Sequence, residues 1–581
     1  MKLTCRALSL ATVAVSFALA ACGSDSPVAP VAPNPIIGVS VTAKNSFSNV
    51  VSFPSAAGDA SYDVERAEGA AGAFAVATNL VAPSTAGPMT YTDNGLKANT
   101  LYRYRVYTNR GTLRSMPSSE ASATTLPFGN AAATISTDIT ASRTLYADTA
   151  YTLSGFVHVA NASTLTIQPG TIIKGDFNVL GSSLFIMRGS KIQAVGTADA
   201  PIVFTSSRTP GSRQPGDWGG LILIGNAPNN RSGSVNIEGS GTDGASVVGG
   251  KNYPVVYNGG NAPADNSGTL AYVRVEFAGF APLEDNEFNS FTFAAVGSGT
   301  RASYLESLDG LDDAYEFFGG GFDLDHLVAF ETADDVLDMS EGFSGRIQYV
   351  VAQSTVQLVP RTGAGFYSKD LEGIENDGCN GTGCDLGHDS APFTIPLIAN
   401  FTLIGCGQAS CAGVSGGHGM MLRRGTGGYY VNGVIARWSS DGLSLRDVAT
   451  YARAGSTATP SATADLQVRN VLFAETNGVL FQAASATQNA LDAAANNLTL
   501  SAATAASLFV GIPAVGAAPA SLAAFDFTPA TGSPIATGGL ATFTGAIATK
   551  AGTFVTPTSY LGGVAPAGPK WFQGWTNYAR N

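Results

Sequence analysis

The feature that most constrains the fold is a short acidic segment that recurs along the chain. Asp312-Asp313-Ala-Tyr-Glu316 returns as Asp334-Asp335-Val-Leu-Asp338, at an offset of 22 residues. The same offset relates Leu327-Val328 to Tyr349-Val350, and an offset of 23 relates His418-Gly-Met420 to Asp441-Gly-Leu443. Recurrence at this interval indicates a solenoid in which each repeat forms one coil and buries its apolar side only against its neighbours.

The residues within the repeats are typical of strands. Segment 163–176 alternates apolar and polar residues between glycines, and segment 183–192 resembles it about nineteen positions later. A coil of this length can supply about three short strands that stack ~4.8 Å apart through parallel hydrogen bonds. Asn432 and Asn470 occupy positions that could form a ladder between coils. We therefore predict an all-β protein whose residues 128–581 form a parallel β-helix, because an array of sandwich domains would repeat near ~90 residues.

Several phrases in this region resemble a family of uncharacterised bacterial surface lipoproteins with right-handed parallel β-helices. The matches cover most of residues 145–581 and include segments 216–228, 265–279, 296–300, 316–320, 422–426 and 571–576. The resemblance implies a right-handed β-helix displayed at the cell surface, and it implies no particular reaction.

The N-terminus is predicted to be a targeting signal. Lys2 and Arg6 precede an apolar stretch that is too short to span a bilayer, and Leu19-Ala20-Ala21-Cys22 resembles a bacterial lipobox. We expect residues 1–21 to be a cleaved signal peptide and residues 22–35 to be an acylated Cys22 with a Pro-rich tether. This lipid anchor makes the membrane a partner and implies an outer-membrane location, on its periplasmic or extracellular face. The alternative is an ordinary cleavage site beside an incidental cysteine.

Residues 36–127 contain short alternating strands separated by turns, which predicts a β-sandwich. The run from Leu96 through Thr100 and Tyr102 to Val106 resembles the tyrosine corner of a fibronectin type III domain, in which the tyrosine hydroxyl contacts the upstream backbone. The resemblance implies a fibronectin type III-like domain that serves as a spacer.

Charge excludes one class of function. The chain has 31 basic and 43 acidic residues, a net charge of −12, and only 13% of its residues are charged. A protein of this sign is not expected to bind nucleic acid, and it is too apolar for a disordered polyelectrolyte.

Four cysteines remain beyond the N-terminal region, in two Cys-x₄-Cys clusters: Cys379 with Cys384, and Cys406 with Cys411. Spacing permits three disulfide connectivities and also a four-thiolate zinc site, but an oxidising envelope favours disulfides. We favour bonds within each cluster, which would close loops that protrude from the coils. Cross-pairing would join the two loops.

The duplicated acids suggest a metal site. If their coils are adjacent, equivalent carboxylates lie one coil rise apart and repel by ~3 kcal/mol at an effective dielectric near 20. Calcium suits them because it takes six to eight oxygen ligands. We predict that Ca²⁺ is held by Asp312, Asp313, Glu316, Asp334, Asp335 and Asp338. Alternate residues of a strand face opposite sides, so the six cannot share one ion, and the alternative is a set of solvated acids at strand ends.

Three functions fit such a chain. Binding or adhesion to a carbohydrate or a surface partner is the leading hypothesis, with Tyr429 and Tyr430 as exposed aromatic residues that could stack on sugars. A polysaccharide hydrolase or lyase is the alternative. Gly417-His418-Gly419 is similar to part of a pectin-hydrolase signature. In that family the paired aspartates and the histidine lie about one coil apart, whereas His418 lies 83 residues beyond Asp335. A structural surface or filament component is the third hypothesis, and no residue is assigned a catalytic role.

Overall fold

A computed structural model describes residues 31–241, 254–284, 286–363, 365–366, 370–411, 416–455, 462–482, 491–516 and 521–579. The chain divides into two compact units between Thr125 and Leu126. The signal peptide and Cys22 lie outside the described residues. None of the helices in the described ranges has the length and apolar character needed to cross a membrane.

The first unit is a β-sandwich. Its strands are β1 (Ser40–Asn45), β2 (Ser48–Pro54), β3 (Ser61–Glu68), β4 (Ala75–Val81), β5 (Pro88–Asn94), β6 (Leu101–Arg110), β7 (Leu113–Arg114) and β8 (Ala121–Thr124). One antiparallel sheet has the order β1-β2-β5, and the other has the order β4-β3-β6-β7 with β8 also paired to β6. Val51, Tyr62 and Tyr104 pack in the core between them. The Tyr102 hydroxyl accepts a hydrogen bond from the Lys97 N–H at 3.0 Å, which is the predicted corner contact.

The second unit is a right-handed parallel β-helix. Its early strands are β9 (Ala131–Ile135), β10 (Arg143–Leu145), β11 (Thr149–Leu153), β12 (Phe156–Val159), β13 (Thr164–Ile167), β14 (Ile172–Gly175), β15 (Ser183–Ile186), β16 (Lys191–Val195), β17 (Ile202–Ser206) and β18 (Leu221–Ile224). The next strands are β19 (Gly268–Glu276), β20 (Phe291–Val296), β21 (Arg301–Gly310), β22 (Tyr315–Gly320), β23 (Asp323–Thr332), β24 (Leu337–Ser340), β25 (Arg346–Gln353) and β26 (Ile374–Asp377). The last strands are β27 (Leu397–Ile404), β28 (Met421–Arg423), β29 (Gly428–Ala436), β30 (Ser444–Leu445), β31 (Leu466–Ala474), β32 (Leu498–Ser501), β33 (Phe509–Gly511) and β34 (Asp526–Pro529).

In the described ranges, four short α-helices interrupt the strands: α1 (Gly407–Cys411), α2 (Val448–Ala454), α3 (Ala505–Leu508) and α4 (Gly545–Ala551). One-turn 3₁₀ segments lie at Gly387–Asp389, Leu522–Ala524 and Pro534–Ala536. Helix α4 packs against the outer side of strands β27 and β29, so the C-terminal segment covers part of the coil stack.

Within the described part of the second unit, two parallel sheets build the coils. One has nine strands in the order β12-β15-β18-β20-β22-β24-β26-β28-β30. The other has fifteen strands and contains two strands per coil at first, because β10, β13 and β16 run separately from β11, β14 and β17. Strand β19 pairs with both β16 and β17, so each later coil has one long strand in their place.

Each long strand bends at a residue whose backbone has a positive φ. These residues are Tyr272, Tyr304, His326, Tyr349, Asn400, Asn432 and Asn470, with φ between 50° and 65°. Pairing aligns them in one column, which we call the bend column. Asparagine tolerates this conformation better than most residues. The Asn432 and Asn470 positions therefore recur between coils as expected.

The interior is filled by columns of apolar side chains. One column runs Leu270, Ala302, Leu324, Ile347, Ile398, Tyr430 and Val468, each residue paired with the next. All seven are buried. Continuity of these columns makes each coil depend on its neighbours for burial.

Two predicted registers differ from those observed. Leu327 pairs with Val350, one residue beyond the prediction, because the turn after Ser340 is one residue longer than the turn after Phe318. Leu165 pairs with Ile192, at an offset of 27, rather than with a residue nineteen positions on. The nineteen-residue match compared strands of different sheets, since Leu184 pairs with Val157.

Candidate functional site

The nine-stranded sheet carries a column of carboxylates on its outer face. Glu316 of β22 pairs with Asp338 of β24, which pairs with Glu375 of β26. Alternation of the strand turns Phe317 and Met339 into the core and leaves the acids outside. Three equivalent carboxylates are therefore stacked one coil apart.

A second acidic column lies three residues earlier, in the turns that lead into these strands. Asp313 Oδ1 accepts a hydrogen bond from the Asp335 N–H at 2.9 Å, and Asp335 Oδ1 accepts one from the Glu372 N–H at 2.7 Å. Asn289 Oδ1 accepts from the Asp313 N–H at 3.2 Å in the preceding coil. Each side chain thus binds the backbone of the next coil, which fixes the carboxylates in register.

We call the two columns and the acids beside them the acidic cluster. Its carboxylate oxygens form four groups of three within 4.8 Å: Asp312, Asp313 and Asp334; Asp313, Glu316 and Asp338; Asp334, Asp335 and Glu372; and Asp370, Glu372 and Glu375. All six acids predicted from the sequence belong to it. They are spread over three of these groups.

Sequence reasoning missed the third coil of this cluster. Glu372 and Glu375 repeat the spacing of Asp313 with Glu316, in which two acids are separated by two residues. The signal was available, but 37 residues separate Asp335 from Glu372, so a search at the 22-residue interval does not find it. Glu238 and Glu287 also contribute negative charge near Asp312, and no repeat marks them.

Burial and mutual repulsion dominate the electrostatics of the cluster. Burial, followed by the charge of Asp334, raises the pKa of Asp312 well above its ordinary value. Asp313, Glu316, Asp335 and Asp338 are raised in the same way, by burial first and then by neighbouring carboxylates. Burial and Asp377 raise the pKa of Glu375 to about 8. The folded protein therefore disfavours ionisation of these groups unless a cation compensates them.

The donor set suits calcium. Every group of the cluster offers carboxylate oxygens, the ligands that this hard cation prefers. The Asp338 Oδ1 atom is buried and has no hydrogen-bond partner among the described residues. An uncompensated buried oxygen of this kind is costly, and coordination by a metal ion would satisfy it.

Two arginines lie at one end of the cluster. Arg423 Nε donates to Asp377 Oδ1 at 2.9 Å, its Nη2 donates to Glu375, and Arg424 Nη1 donates to Asp377. Burial alone would lower the pKa of Arg423, but Asp377 and Glu375 outweigh it and raise that pKa above its ordinary value. Arg423 is therefore held firmly in its charged form.

His418 lies in the column of turn residues that contains Asp313, Asp335 and Glu372, which we call the turn column. The Gly373 N–H donates to the His418 carbonyl at 3.1 Å, and His418 pairs with Asp441 one coil further on. The 83 residues between Asp335 and His418 thus amount to two coils, because both intervening turns carry long insertions. Arginine only donates, so Arg446 Nη2 at 3.0 Å makes Nε2 of His418 an acceptor and leaves Nδ1–H for Asp441 at 2.9 Å. His418 is a buried connector between coils.

Both tyrosines that were predicted to be exposed and to bind sugars are buried. Tyr430 is fully buried in the interior column and hydrogen-bonds Asn376, so it cannot stack on a ligand. The prediction failed there because adjacent residues of a strand face opposite sides. Tyr429 faces away from the interior of the coils, but helix α4 and the segment after it bury it, so its predicted exposure is wrong as well. It borders a cavity beside helix α4.

Both disulfides join cysteines within a cluster, Cys379 to Cys384 and Cys406 to Cys411, which is the connectivity that we favoured. The first closes a loop whose carbonyls at Asn380 and Thr382 accept hydrogen bonds from Arg231 Nη1 at 2.5 and 2.6 Å.

Comparison with known proteins gives a family for the second unit. The family model of the pectate-lyase-like β-helix domain matches residues 137–509. No curated protein matches the chain. Among solved structures, pectate lyase Pel3 from Pectobacterium carotovorum is similar with 12% identity over 59% of this chain and 86% of that one, at a TM-score of 0.13. A Fn3-like protein from Clostridium thermocellum is similar with 24% identity over 16% of this chain and 92% of that one, at a TM-score of 0.14. On the family-model match, the chain belongs to the pectate-lyase-like β-helix domain family.

Proposed function

We propose that this protein binds an acidic carbohydrate through calcium ions held by the acidic cluster. The observation that carries the proposal is the repetition of an acid pair in three successive coils: Asp313 with Glu316, Asp335 with Asp338, and Glu372 with Glu375. Repetition provides metal-binding carboxylates along a line, which matches the linear repetition of a polysaccharide.

The ligand is inferred from charge. Without a cation the cluster would repel an acidic sugar, whereas calcium retains open coordination positions that a sugar carboxylate can fill. Glu238, Asp334, Asp338 and Asp370 are only partly buried, so they offer a path from solvent to the buried acids. Calcium would supply a bridge between protein carboxylates and ligand carboxylates.

Binding is favoured over elimination chemistry by the state of Arg423. A lyase needs a base whose pKa lies near the working pH. The two carboxylates that bind Arg423 raise its pKa, which makes deprotonation harder. Arg423 and Arg424 can still pair with a ligand carboxylate at this end of the cluster.

Cleavage is the second candidate, and Glu375 is the observation in its favour. Its pKa of about 8 leaves it protonated at neutral pH in the absence of metal, so it could donate a proton to a glycosidic oxygen. Calcium would displace that proton. Cleavage by Glu375 therefore requires a metal-free site, and binding requires a loaded one.

The setting of this activity is also proposed. Acylation at Cys22 would anchor the chain in the outer membrane, and the β-sandwich would act as a fibronectin type III-like spacer. Support comes from the lipobox-like segment and from the Tyr102 corner contact. Labelling of the cells with a radioactive fatty acid tests the anchor, and a Cys22→Ser variant should lose the label.

A retention and cleavage assay tests the function. The whole chain is passed over immobilised acidic and neutral polysaccharides, with Ca²⁺ or with a chelator, and the eluate is assayed for reducing ends and for unsaturated sugars. Calcium-dependent retention of acidic polymers without products is expected. Products formed only in chelator support cleavage, and ordered assembly without retention supports a structural role.

Matched variants connect the assay to the site. Asp335→Asn should abolish calcium-dependent retention. Asp335 supplies one carboxylate of a candidate metal-binding group, and it accepts a hydrogen bond from the backbone of the next coil. Asp199→Asn, a change of the same kind at an exposed acid, should retain wild-type behaviour. Equal retention by both variants contradicts the proposed site.

A further inference from the structure

A cavity of about 590 Å³ lies beside helix α4, and the acidic cluster contributes no residue to it. Its walls come from strands β25 and β29, from the segment before β27 and from α4. This volume is within the range of ~300–1,000 Å³ that is usual for small-molecule sites. The cavity is widely open to solvent, and it is large enough to hold a small organic ligand.

Two cations line the cavity. Arg346 is paired with Asp323, whose Oδ1 and Oδ2 atoms lie 2.7 Å from its Nε and Nη2. Lys550 donates to the Ser344 carbonyl. The lining therefore has two basic residues and no acidic one, in a strongly acidic protein.

The pKa of Lys550 reflects its burial beside a second cation. Burial, and then the charge of Arg346, lower it to about 8, while Asp323 opposes the shift. The charged groups that act on the amine are therefore Arg346 and Asp323. A bound anion would relieve the repulsion between the two cations.

The remaining walls are mostly apolar, with Ser344 and Thr549 as hydroxyl-bearing residues beside the two cations. Ile395, Phe393 and Tyr429 line the cavity together with the methyl group of Ala546. The Phe393 ring is held in place by Arg453, whose guanidinium carbon lies 3.5 Å from the ring centroid. Rigid aromatic walls of this kind suit a planar, apolar ligand, whereas a sugar would need hydrogen-bond partners for each of its hydroxyls.

We propose that this cavity binds an organic carboxylate with an apolar, aromatic-sized body. The carboxylate lies against Lys550 and Arg346, and the body lies against Phe393, Ile395 and Tyr429. The proposal is independent of the acidic cluster, which would bind anions only through calcium. The chain then carries two sites of opposite charge, one for a polymer and one for a small molecule.

Three probes separate the parts of this proposal, and all are measured by calorimetry on the whole chain in the presence of a chelator. 2-Naphthoate has the charge and the apolar body, 2-naphthalenemethanol has only the body, and galacturonate has only the charge on a polar ring. We expect naphthoate to bind at least ~10-fold more tightly than either of the others, as one charge-assisted contact predicts. Equal affinity for naphthoate and naphthalenemethanol overturns the role of the cations, and tighter binding of galacturonate overturns the apolar ligand.

Variants locate the binding. Lys550→Gln should weaken naphthoate binding by ~10-fold, and Lys550→Arg should restore it to within ~3-fold. Lys44→Gln, at an exposed lysine of the sandwich, is the matched control and should bind as the wild type. Thr549→Glu adds a negative charge at an exposed position on the rim of the cavity, where folding is not at risk, and should also weaken binding. Wild-type affinity in both Lys550→Gln and Thr549→Glu overturns the site.

Discussion

The bend column and the acidic cluster stack like groups in the same way and differ in what the stacking costs. In the bend column, the rings of Tyr272, Tyr304 and His326 lie in parallel with centroids 4.3 Å apart. Stacked rings attract one another and bury apolar area. Stacked carboxylates repel, and burial makes the repulsion stronger. A coil architecture therefore amplifies whichever residue it repeats, and only the acidic repeat needs a cation.

The largest effect on stability is expected where the C-terminal segment packs against the aromatic residues of the bend column. Trp575 is almost fully buried, and its ring meets Tyr272 and Tyr304 edge-on at 5.6 and 6.0 Å. Trp575→Ala should lower the free energy of unfolding by ~3–5 kcal/mol. Chemical denaturation should give the same loss with and without Ca²⁺, and a calcium-dependent loss would contradict the independence of the two columns.

The acidic cluster should respond to pH in the opposite sense from a salt-bridged site. Its folded-state pKa values are raised, so the folded protein holds protons that the unfolded chain releases. In chelator, stability is therefore fully present below the ordinary glutamate pKa of 4.5 and falls as pH rises through about 8. We expect a loss of at least ~3 kcal/mol between pH 5 and pH 8, because Glu375 alone, with its pKa raised from 4.5 to about 8, contributes that much at ~1.36 kcal/mol per pKa unit. Thermal melts at pH 5 and pH 8 measure it, and a higher midpoint at pH 8 would contradict it.

Calcium should remove that pH dependence. At 100 times its dissociation constant it adds ~2.7 kcal/mol to the free energy of unfolding. Because the acids must lose protons to bind it, titration in two buffers of different ionisation enthalpy should reveal proton release that is greater at pH 6 than at pH 8. Magnesium at the same concentration is the control, since its octahedral preference suits this oxygen-rich site less well.

The smallest effect is expected at Glu372, where one substitution should raise the free energy of unfolding without Ca²⁺ and lower it with Ca²⁺. Glu372 is fully buried, and burial followed by the charge of Glu375 raises its pKa. Glu372→Gln removes one repelling charge, so in chelator at pH 8 it should stabilise the protein by ~1 kcal/mol. With Ca²⁺ the same change removes a ligand and should destabilise it. Tyr304→Phe provides a comparison within the bend column, where no reversal by Ca²⁺ is expected.

The sequence-based predictions that succeeded depended on short spacings between residues in the chain. The 22-residue interval of the acids follows directly from the length of one coil, and a four-residue gap between cysteines suits a closed loop. The fold class follows from the same regularity. Predictions of this kind need only residues that lie close together in the chain.

A constant period reveals only coils of nearly equal length, such as those of His418 and Asp441. Glu372 and His418 belong to the turn column, but the loops inserted before them remove the interval that would reveal it. Tyr430 was misplaced for a different reason, since a Tyr-Tyr pair in a strand leaves open which ring faces inward until the register is known.

The unequal coil lengths have an evolutionary consequence. From Asp313 to Asp335 the chain advances 22 residues, from Asp335 to Glu372 it advances 37, and from His418 to Asp441 it advances 23. The hydrogen-bonded column nevertheless continues through all of them. Loops can therefore lengthen, shrink or be exchanged between coils without moving the carboxylates beneath, so that selection can alter what reaches the site while inheriting the site itself unchanged.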